Sequence, residues 1–439
     1  MVTQTVQPQE GYLQAFAEFE RNAATGPSWL TPLRKAAISR FREVGFPTRH
    51  DEEWRFTNQA PLAEIPFRAA KADMSVVTAA EIAPFAFPEM GTTTLVFVDG
   101  SYVPGLSAVG SLPQGVVVSS LAEAFAAHHP AIEPHLARVA KFDTTFPSLN
   151  TAFLSDGAFV HIPKGMVVAE PIHLLFVSTT SAEPTVSHPR TLIVAEENSQ
   201  ATVVESYAGF GEGLSLTNAV TEVVVGKSAN LDHYKLNREG RNAYHVATMQ
   251  VQMGQESVFS SHSINLGGLF VRNDANATLG AEHAECTLNG LSLVDGKRLV
   301  DNHTAIDHAL PNCDSHELYK YILDDQSRGV FNGKIYVRED AQKTDAKQTN
   351  RALLLSADAQ INTKPQLEIF ADDVKCTHGA TIGQLDPEQQ FYLQSRGIPK
   401  AEARDLLIYA FAGDVISRIK VPALRDALDA ILLDKLPQR

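Results

Sequence analysis

A cysteine and a histidine two positions apart, Cys376 and His378, are the side chains of this sequence best suited to chemistry. The first half of residues 371–398 alternates like a β-strand, which places this pair and Val374 on one face; the other face carries Asp373, Lys375 and Thr377. Because the charged face requires water, we expect the thiol and the imidazole to face a core or a protein interface. Thiolate and neutral imidazole are both iron ligands. The alternative is a packed, hydrogen-bonded pair, because free cysteine is among the most buried residue types.

A second group of potential metal ligands lies upstream and contains three imidazoles and a thiol, at His303, His308, Cys313 and His316. Such side chains could bind zinc or iron. Their spacings match no compact zinc pattern, and a strand-rich fold would place them on different faces. The alternative is a polar ladder in which each histidine is satisfied by hydrogen bonds.

The positioning elements come first from the middle of the chain, where helical periodicity nearly disappears. Turn-and-strand segments begin 28 residues apart at Asn198, Gly226 and Gly254, with a looser match at Glu282. A repeat of this length predicts stacked coils, each burying its inner face on the next. We therefore predict a mainly β fold, with a parallel β-helix (solenoid) over residues 146–385 between helical domains that cap its ends. A sandwich or jelly roll is the alternative.

The N-terminal region, residues 1–145, is predicted to be helical with one short β-hairpin. The hairpin is expected at residues 95–103, around an Asp-Gly turn. Residues 47–58 are dense in charge, and we expect a loop that its aromatic residues, Trp54 and Phe56, pin to the body.

The C-terminal region, residues 386–439, is predicted to be a helical domain. Asp386 is a suitable N-cap with Pro387 at the first helical position, and Gly397 ends that helix. A following amphipathic helix is expected to close at Gly413. Its apolar stripe is wide enough both to pack onto the solenoid end and to dock a partner.

The composition limits the classes of function. With 37 basic and 51 acidic side chains the net charge is −14, which argues against a nucleic-acid or anionic-membrane surface. No apolar run reaches the ~18 residues of a membrane helix, and the N-terminus lacks a secretory pattern. Three widely spaced cysteines suit reduced thiols, so we expect a cytoplasmic protein.

Several motifs give the chain a specific resemblance to the SufB/SufD family of iron–sulfur cluster assembly proteins, and within it to the SufD branch. They are Phe331-Asn-Gly-Lys-Ile, Ala341-Gln-Lys-Thr-Asp-Ala, Leu353-Leu-Leu-Ser, Thr363-Lys-Pro-Gln-Leu-Glu-Ile, Asp372-Asp-Val-Lys-Cys-Thr-His-Gly-Ala-Thr and Tyr392-Leu-Gln-Ser-Arg-Gly-Ile. The likeness is dense from about residue 303 to 419.

The resemblance implies a non-catalytic scaffold subunit that acts with a SufB-type subunit and the SufC ATPase, or forms a homodimer when isolated. It implies that His378, and secondarily Cys376, form an iron or nascent-cluster site facing the SufB-type partner. It also implies that the C-terminal helices contact the ATPase, with candidate contact residues Phe391, Tyr392, Arg396, Gly397, Leu406, Leu407 and Phe411.

The resemblance also implies a transient iron–sulfur cluster, present only in the complex. SufB-type chains carry a further cysteine one coil earlier, whereas residues 358–363 here contain no thiol. A stable cluster usually needs about four thiolate-type ligands, so we expect no cluster in the isolated chain. The alternative function is a β-helix enzyme acting on polysaccharide, for which paired carboxylates exist at Asp324-Asp325 and Asp372-Asp373.

Overall fold

Parallel strands stacked in two sheets form the centre of the molecule, a computed structural model that describes residues 8–22, 26–70, 77–87, 89–180 and 183–435. The strands are β1 Arg68–Ala69, β2 Thr93–Val98, β3 Ser101–Tyr102, β4 Val117–Ser120, β5 Gly157–Ile162, β6 Ile172–Thr179, β7 Thr185–Ser187, β8 Arg190–Ala195, β9 Gln200–Phe210, β10 Ser215–Val225, β11 Asn230–Arg238, β12 Ala243–Met253, β13 Val258–Asn265, β14 Phe270–Leu279, β15 Glu285–Val294, β16 Leu299–His308, β17 Asp314–Leu323, β18 Arg328–Val337, β19 Asp345–Leu354, β20 Gln360–Ile369 and β21 Lys375–Gly383.

Successive long strands alternate between the two sheets, which makes the body a parallel β-solenoid. One sheet has the order β20-β18-β16-β14-β12-β10-β8-β5-β4, and the other has the order β21-β19-β17-β15-β13-β11-β9-β6-β2-β3. From β5 and β6 onward the neighbours along both stacks run parallel. The predicted mainly β fold with a parallel β-helix between helical regions is therefore confirmed.

Helices lie before and after the solenoid. They are α1 Pro8–Asn22, α2 Leu30–Val44, α3 Ala60–Glu64, α4 Ala79–Ile82, α5 Leu121–Ala126, α6 Thr145–Ala152, α7 Pro387–Ser395, α8 Lys400–Ile416 and α9 Pro422–Lys435, with 3-10 turns at Glu52–Trp54, Ala83–Phe85 and Pro104–Leu106. The predicted hairpin is present, because β2 and β3 pair antiparallel around Asp99 and Gly100, both with positive φ. Gly413 does not end its helix as predicted: α8 continues to Ile416, since the buried Val415 and Ile416 offset the cost of a helical glycine.

The repeat length varies from coil to coil, which corrects the predicted constant spacing of 28 residues. Gly226 and Gly254 are equivalent, as predicted, because Val225 pairs with Met253. Asn198 instead stacks on the turn 30 residues later, where its N–H donates to Lys227 O at 2.8 Å. The two extra residues lie in β9, which has 11 residues where β11 has 9.

The N-terminal helices close the first coils of the solenoid. Helices α5 and α6 and the antiparallel strand β4 cover one sheet, where Arg190 and Glu222 form a fully buried ion pair of 2.6 Å. The same carboxylate accepts the backbone N–H groups of Ala137, Val139 and Ala140. A buried charge is stable only when paired and hydrogen-bonded in this way, so Glu222 fixes the helical region to the solenoid.

Residues 47–58 form the predicted loop, and Trp54 rather than Phe56 pins it. The indole packs on the guanidinium of Arg272 at 4.6 Å, whereas Phe56 is exposed. The loop reaches the last coils through Glu53, which bonds to His303 and to Asn332 at 3.1 Å each. This segment therefore clamps the outer face of the sheet that ends in β20.

The C-terminal helices do not cap the end of the solenoid, contrary to expectation. Helices α8 and α9 lie along the outer face of the β21 sheet, where their buried residues contact apolar side chains of β11, β13, β15 and β17; the helical residues concerned are Ile408, Ala412, Val415, Leu424, Leu428 and Leu432. Outward-facing leucine and isoleucine on these strands offer more apolar area than the final coil does. The last coil consequently stays open.

Candidate functional site at the open end of the solenoid

The final coil, β20 and β21, is the exposed end of the stack. Strand β20 pairs with β18, and β21 pairs with β19. In the part of the chain that the structure describes, no strand pairs with the other edge of either one. The residues of β20 are mostly half-buried and those of β21 mostly exposed, although both continue columns that are buried in earlier coils. An uncovered edge of this kind is a template for pairing with another chain.

Cys376 and His378 lie on this coil and face the interior columns of the solenoid. In register, Cys376 neighbours Ala346, and His378 neighbours Gln348, both buried residues of β19. Cys376 is half-buried and packs on an apolar cluster that contains Ala346, whereas His378 is exposed. The expected alternation is present, and the pair is accessible from the open end rather than sealed inside the molecule. Metal binding by these two residues stays a prediction.

The local electrostatics keep the Cys376 thiol protonated in the isolated chain. Partial burial raises the pKa of Cys376, although the backbone N–H of Ala346 acts in the opposite direction. A thiol with a raised pKa is a poor ligand and nucleophile until a cation or donor stabilises its thiolate. The described residues contain no group of three or more His, Cys, Asp or Glu side chains placed to hold a metal ion. The open end therefore offers two potential ligands and an unfinished coordination sphere.

Two buried polar residues lie beneath His378 in the same column, and the sequence did not identify them as part of the site. Gln348 is one coil below, and Glu317 is two coils below. The Gln348 Nε2 donates to Glu317 Oε2 at 2.7 Å. Burial raises the pKa of Glu317 to about 7, against the opposing hydrogen bond from Gln348. The signal was the spacing of 30 and 31 residues between them, which a search at a constant 28 residues does not find.

The second predicted ligand group does not form a metal site. His303 pairs with Asp301 at 3.0 Å and with Glu53 at 3.1 Å on the outer face of one sheet. His308 bonds to Ser315 at 2.9 Å, Cys313 is buried beside backbone carbonyls, and His316 is exposed on the other sheet. The alternation of strands separates these side chains, so the polar-ladder interpretation fits the structure.

The predicted partner-binding residues lie on α7 and α8. In α7, whose nine residues are all described, none is buried, and Phe391 and Tyr392 are 72% and 58% exposed. Arg396 and Gly397 are also exposed, and Arg396 stacks on Tyr392 at 5.3 Å. An amphipathic helix without a buried face has an uncovered apolar surface.

On α8 the predicted residues divide between solvent and the solenoid. Leu406 is 47% exposed, while Leu407 and Phe411 are half-buried. Phe411 packs under the Lys320 ammonium at 4.6 Å, so it is partly used inside the molecule. ATPase contact by any of these residues stays a prediction.

Comparisons with known proteins agree with this architecture over nearly the whole chain. The family model described as SUF system FeS cluster assembly, SufBD core domain, matches residues 176–411. The model of the SufBD protein N-terminal region matches residues 6–174. The chain belongs to the SufBD family of the SUF iron–sulfur cluster assembly system.

Proteins named SufD are among the similar sequences. A SufBD family protein of Synechocystis is 35% identical, with 95% of this chain and 93% of that protein covered. The SufD protein of Escherichia coli is 31% identical, with 93% of each chain covered. The SufD protein of Bacillus subtilis is 26% identical, with 97% of each covered. No helix among the described residues is long and apolar enough to cross a membrane.

Proposed function

We propose that this chain is a non-catalytic scaffold subunit that completes an iron or nascent-cluster site only when a second subunit covers its open end. The partner would be a SufB-type β-solenoid, and a SufC-type ATPase would dock on the C-terminal helices. The site of action would be the cytoplasm. The observation that carries the proposal is the exposure of His378 and Cys376 on an unpaired terminal coil of a SufBD-family chain.

The ligand count supports a shared site. His378 offers a borderline ligand and Cys376 a soft one, which together are too few for a stable cluster. A partner solenoid that abuts β20 and β21 would add its own side chains to the same opening. In this arrangement the cluster is cargo that forms between two subunits, and we expect the isolated chain to hold neither iron nor sulfide.

Edge pairing is the physical basis for the partner contact. The unpaired backbone groups of β20 and β21 favour another strand or a covering surface. Exposed apolar side chains on the same coil, Ile369, Phe370 and Ile382, would lose water in the contact. A second copy of the chain offers the same edge, so homodimers are the expected state when the partner is absent.

The ATPase would act on α7 and α8 rather than on the open end directly. Helix α7 has an exposed aromatic pair, and it is joined through α8 to strand β17. A movement imposed on α7 would therefore reach the outer face of the sheet that ends in β21. This gives ATP hydrolysis in the partner a mechanical route to the open end.

The experiment that tests the proposal is co-expression with a SufB-type subunit and a SufC-type ATPase, followed by iron and acid-labile sulfide analysis of the purified complex. We expect His378→Ala to abolish most of the cluster and Cys376→Ser to reduce it. His316→Ala is the matched control, because His316 is an exposed histidine of the same sheet on the outward face. An undiminished cluster yield for His378→Ala in an intact complex would refute the role of His378.

The polysaccharide-enzyme alternative has little support in the paired carboxylates that suggested it. Asp324 pairs with Arg404 at 3.2 Å, and Asp373 pairs with Lys343, both at turns between coils. Carboxylates in structural ion pairs are poorly placed for general acid–base catalysis. Cleavage of a uronan or glycan by the isolated chain would revive that alternative.

A further inference from the structure

The inner column beneath His378 contains buried hydrogen-bonding atoms without partners. Gln348 uses its Nε2 to donate to Glu317 Oε2 at 2.7 Å, and its own Oε1 is buried without a donor among the described residues. Glu317 Oε1 is also buried and unpaired. An unsatisfied buried acceptor typically costs about 1–3 kcal/mol, so two in one column call for a physical explanation.

The solenoid makes specific room for the Gln348 amide. On the facing sheet, Gly333 of β18 lies so close that an added Cβ would sit 2.3 Å from Gln348 Nε2 and 2.7 Å from its Cδ. Only glycine leaves this space, and the glycine has no unusual φ that would require it for backbone reasons. The amide is therefore held by Glu317 below and by the Gly333 backbone opposite, with little freedom to turn.

His378 is the next residue in the column and is within reach of this amide. Adjacent strands lie about 4.8 Å apart, so a rotation of the exposed imidazole brings one ring N–H to the amide of its register neighbour. A metal-binding histidine almost always donates its second ring N–H to such an acceptor, which fixes the tautomer and the ring direction. Cys376 has only Ala346 in the equivalent position, so this support is available to the imidazole alone.

We propose that Gln348, held in place by Glu317, is the positioning residue for His378: its free Oε1 accepts one ring N–H, and the other ring nitrogen is presented to the metal at the open end. This inference rests on the proposed function, because it assigns a partner to the same imidazole. It explains why a carboxylate and an amide occupy an interior column that apolar side chains could fill. Neither residue touches the metal; both act through His378.

The test compares Gln348→Met with Asn350→Leu in the co-expressed complex. Methionine keeps the length of glutamine without an acceptor. Asn350 is the matched control, because it is equally buried on the same strand and its amide donates to Tyr319 O at 3.2 Å, but its register neighbour is Ala380. We expect Gln348→Met to lower cluster yield about tenfold and Asn350→Leu to leave it unchanged. Should Gln348→Met fail to assemble, Gln348→Asn applies the same test by withdrawing the amide one methylene.

A second readout separates positioning from simple packing. In the full isolated chain, 15N NMR of the His378 ring should show one dominant neutral tautomer, and Gln348→Met should mix the two tautomers while Asn350→Leu should not. The exchanged pair, Glu317→Gln with Gln348→Glu, keeps a carboxylate–amide contact and an acceptor beneath the ring, so it should restore both readouts.

The outcomes distinguish this inference from the function on which it rests. If His378→Ala abolishes the cluster but Gln348→Met and Gln348→Asn behave like Asn350→Leu, the positioning role is wrong and the scaffold proposal stands. An unchanged tautomer ratio in Gln348→Met has the same meaning. If His378→Ala itself retains full cluster yield, both proposals fall.

Discussion

Lys320 of β17 and Asp414 of α8 form an ion pair of 2.8 Å that joins the C-terminal helices to the solenoid. The Lys320 ammonium is almost fully buried, also donates to Phe411 O at 3.0 Å and lies 4.6 Å from the Phe411 ring. Hydrogen bonding by Lys320 lowers the pKa of Asp414. Since α8 carries the exposed helix α7, this pair is a fixed point through which a force on α7 would reach the solenoid.

Asp414→Asn should destabilise the fold, because it leaves the buried Lys320 ammonium without its counter-charge. We expect the free energy of unfolding at neutral pH to fall by about 1–3 kcal/mol, measured by urea denaturation. Asp426→Asn is the control, since Asp426 forms only a loose, exposed pair with Arg425 at 3.7 Å and should change stability by less than about 0.5 kcal/mol. Equal effects of the two substitutions would show that the Lys320 contact contributes little.

The ion pairs of His303 predict a loss of stability at alkaline pH. Burial alone would lower the pKa of His303, but the charge of Asp301 and the hydrogen bonds to Asp301 and Glu53 outweigh it and raise the pKa to about 9. A pKa raised above its unfolded value stabilises the fold fully below about pH 6.5, and this contribution is lost as the pH rises through about 9.

His303→Gln removes this titration. We expect the wild-type free energy of unfolding to fall between pH 6.5 and 9.5 more steeply than that of the variant, as followed by urea denaturation at each pH. His283→Gln is a suitable comparison, because His283 is an exposed histidine 3.9 Å from Glu282. Parallel pH profiles for wild type and His303→Gln would contradict the predicted charge on the folded imidazole.

Cys376 should be the cysteine that reacts first in the native protein, and it should react slowly. Cys286 and Cys313 are buried, whereas Cys376 is half-buried at the open end. Because partial burial raises the pKa of the Cys376 thiol, the rate of alkylation by iodoacetamide should stay low at pH 7 and rise above pH 9.

Peptide mass spectrometry after a short exposure should locate one label, at Cys376, and Cys376→Ser should remove it. The same experiment in the complex should show protection if a partner covers the last coil. Rapid labelling at neutral pH, or labelling of Cys286 before Cys376, would contradict the burial found for these thiols.

The exposed face of α7 should bind the ATPase without contributing to folding. We expect Phe391→Asp to leave thermal stability unchanged, because Phe391 is 72% exposed, and to weaken capture of a SufC-type ATPase at least about tenfold, as for a buried aromatic anchor. Leu433→Asp is the matched control on α9, where Leu433 is 54% exposed. Equal capture by both variants would place the ATPase contact elsewhere.

The amino-acid sequence by itself was sufficient for the fold class and for the face on which Cys376 and His378 lie. Strand alternation depends on local backbone geometry, and the repeat of turn residues depends on conformations that a few residue types favour; both can be identified without long-range contacts. The helix start at Asp386 is of the same kind, with its side chain accepting the Glu388 N–H at 2.8 Å.

Only the tertiary structure decided the column beneath His378 and the open end above it. Gln348 and Glu317 become neighbours of His378 through coils of unequal length, because the register of each coil depends on how many residues its strands and turns absorb. Gly413 stayed helical, and α8 and α9 lay along one sheet instead of capping the stack, because the burial of apolar side chains against that sheet outweighs local propensity.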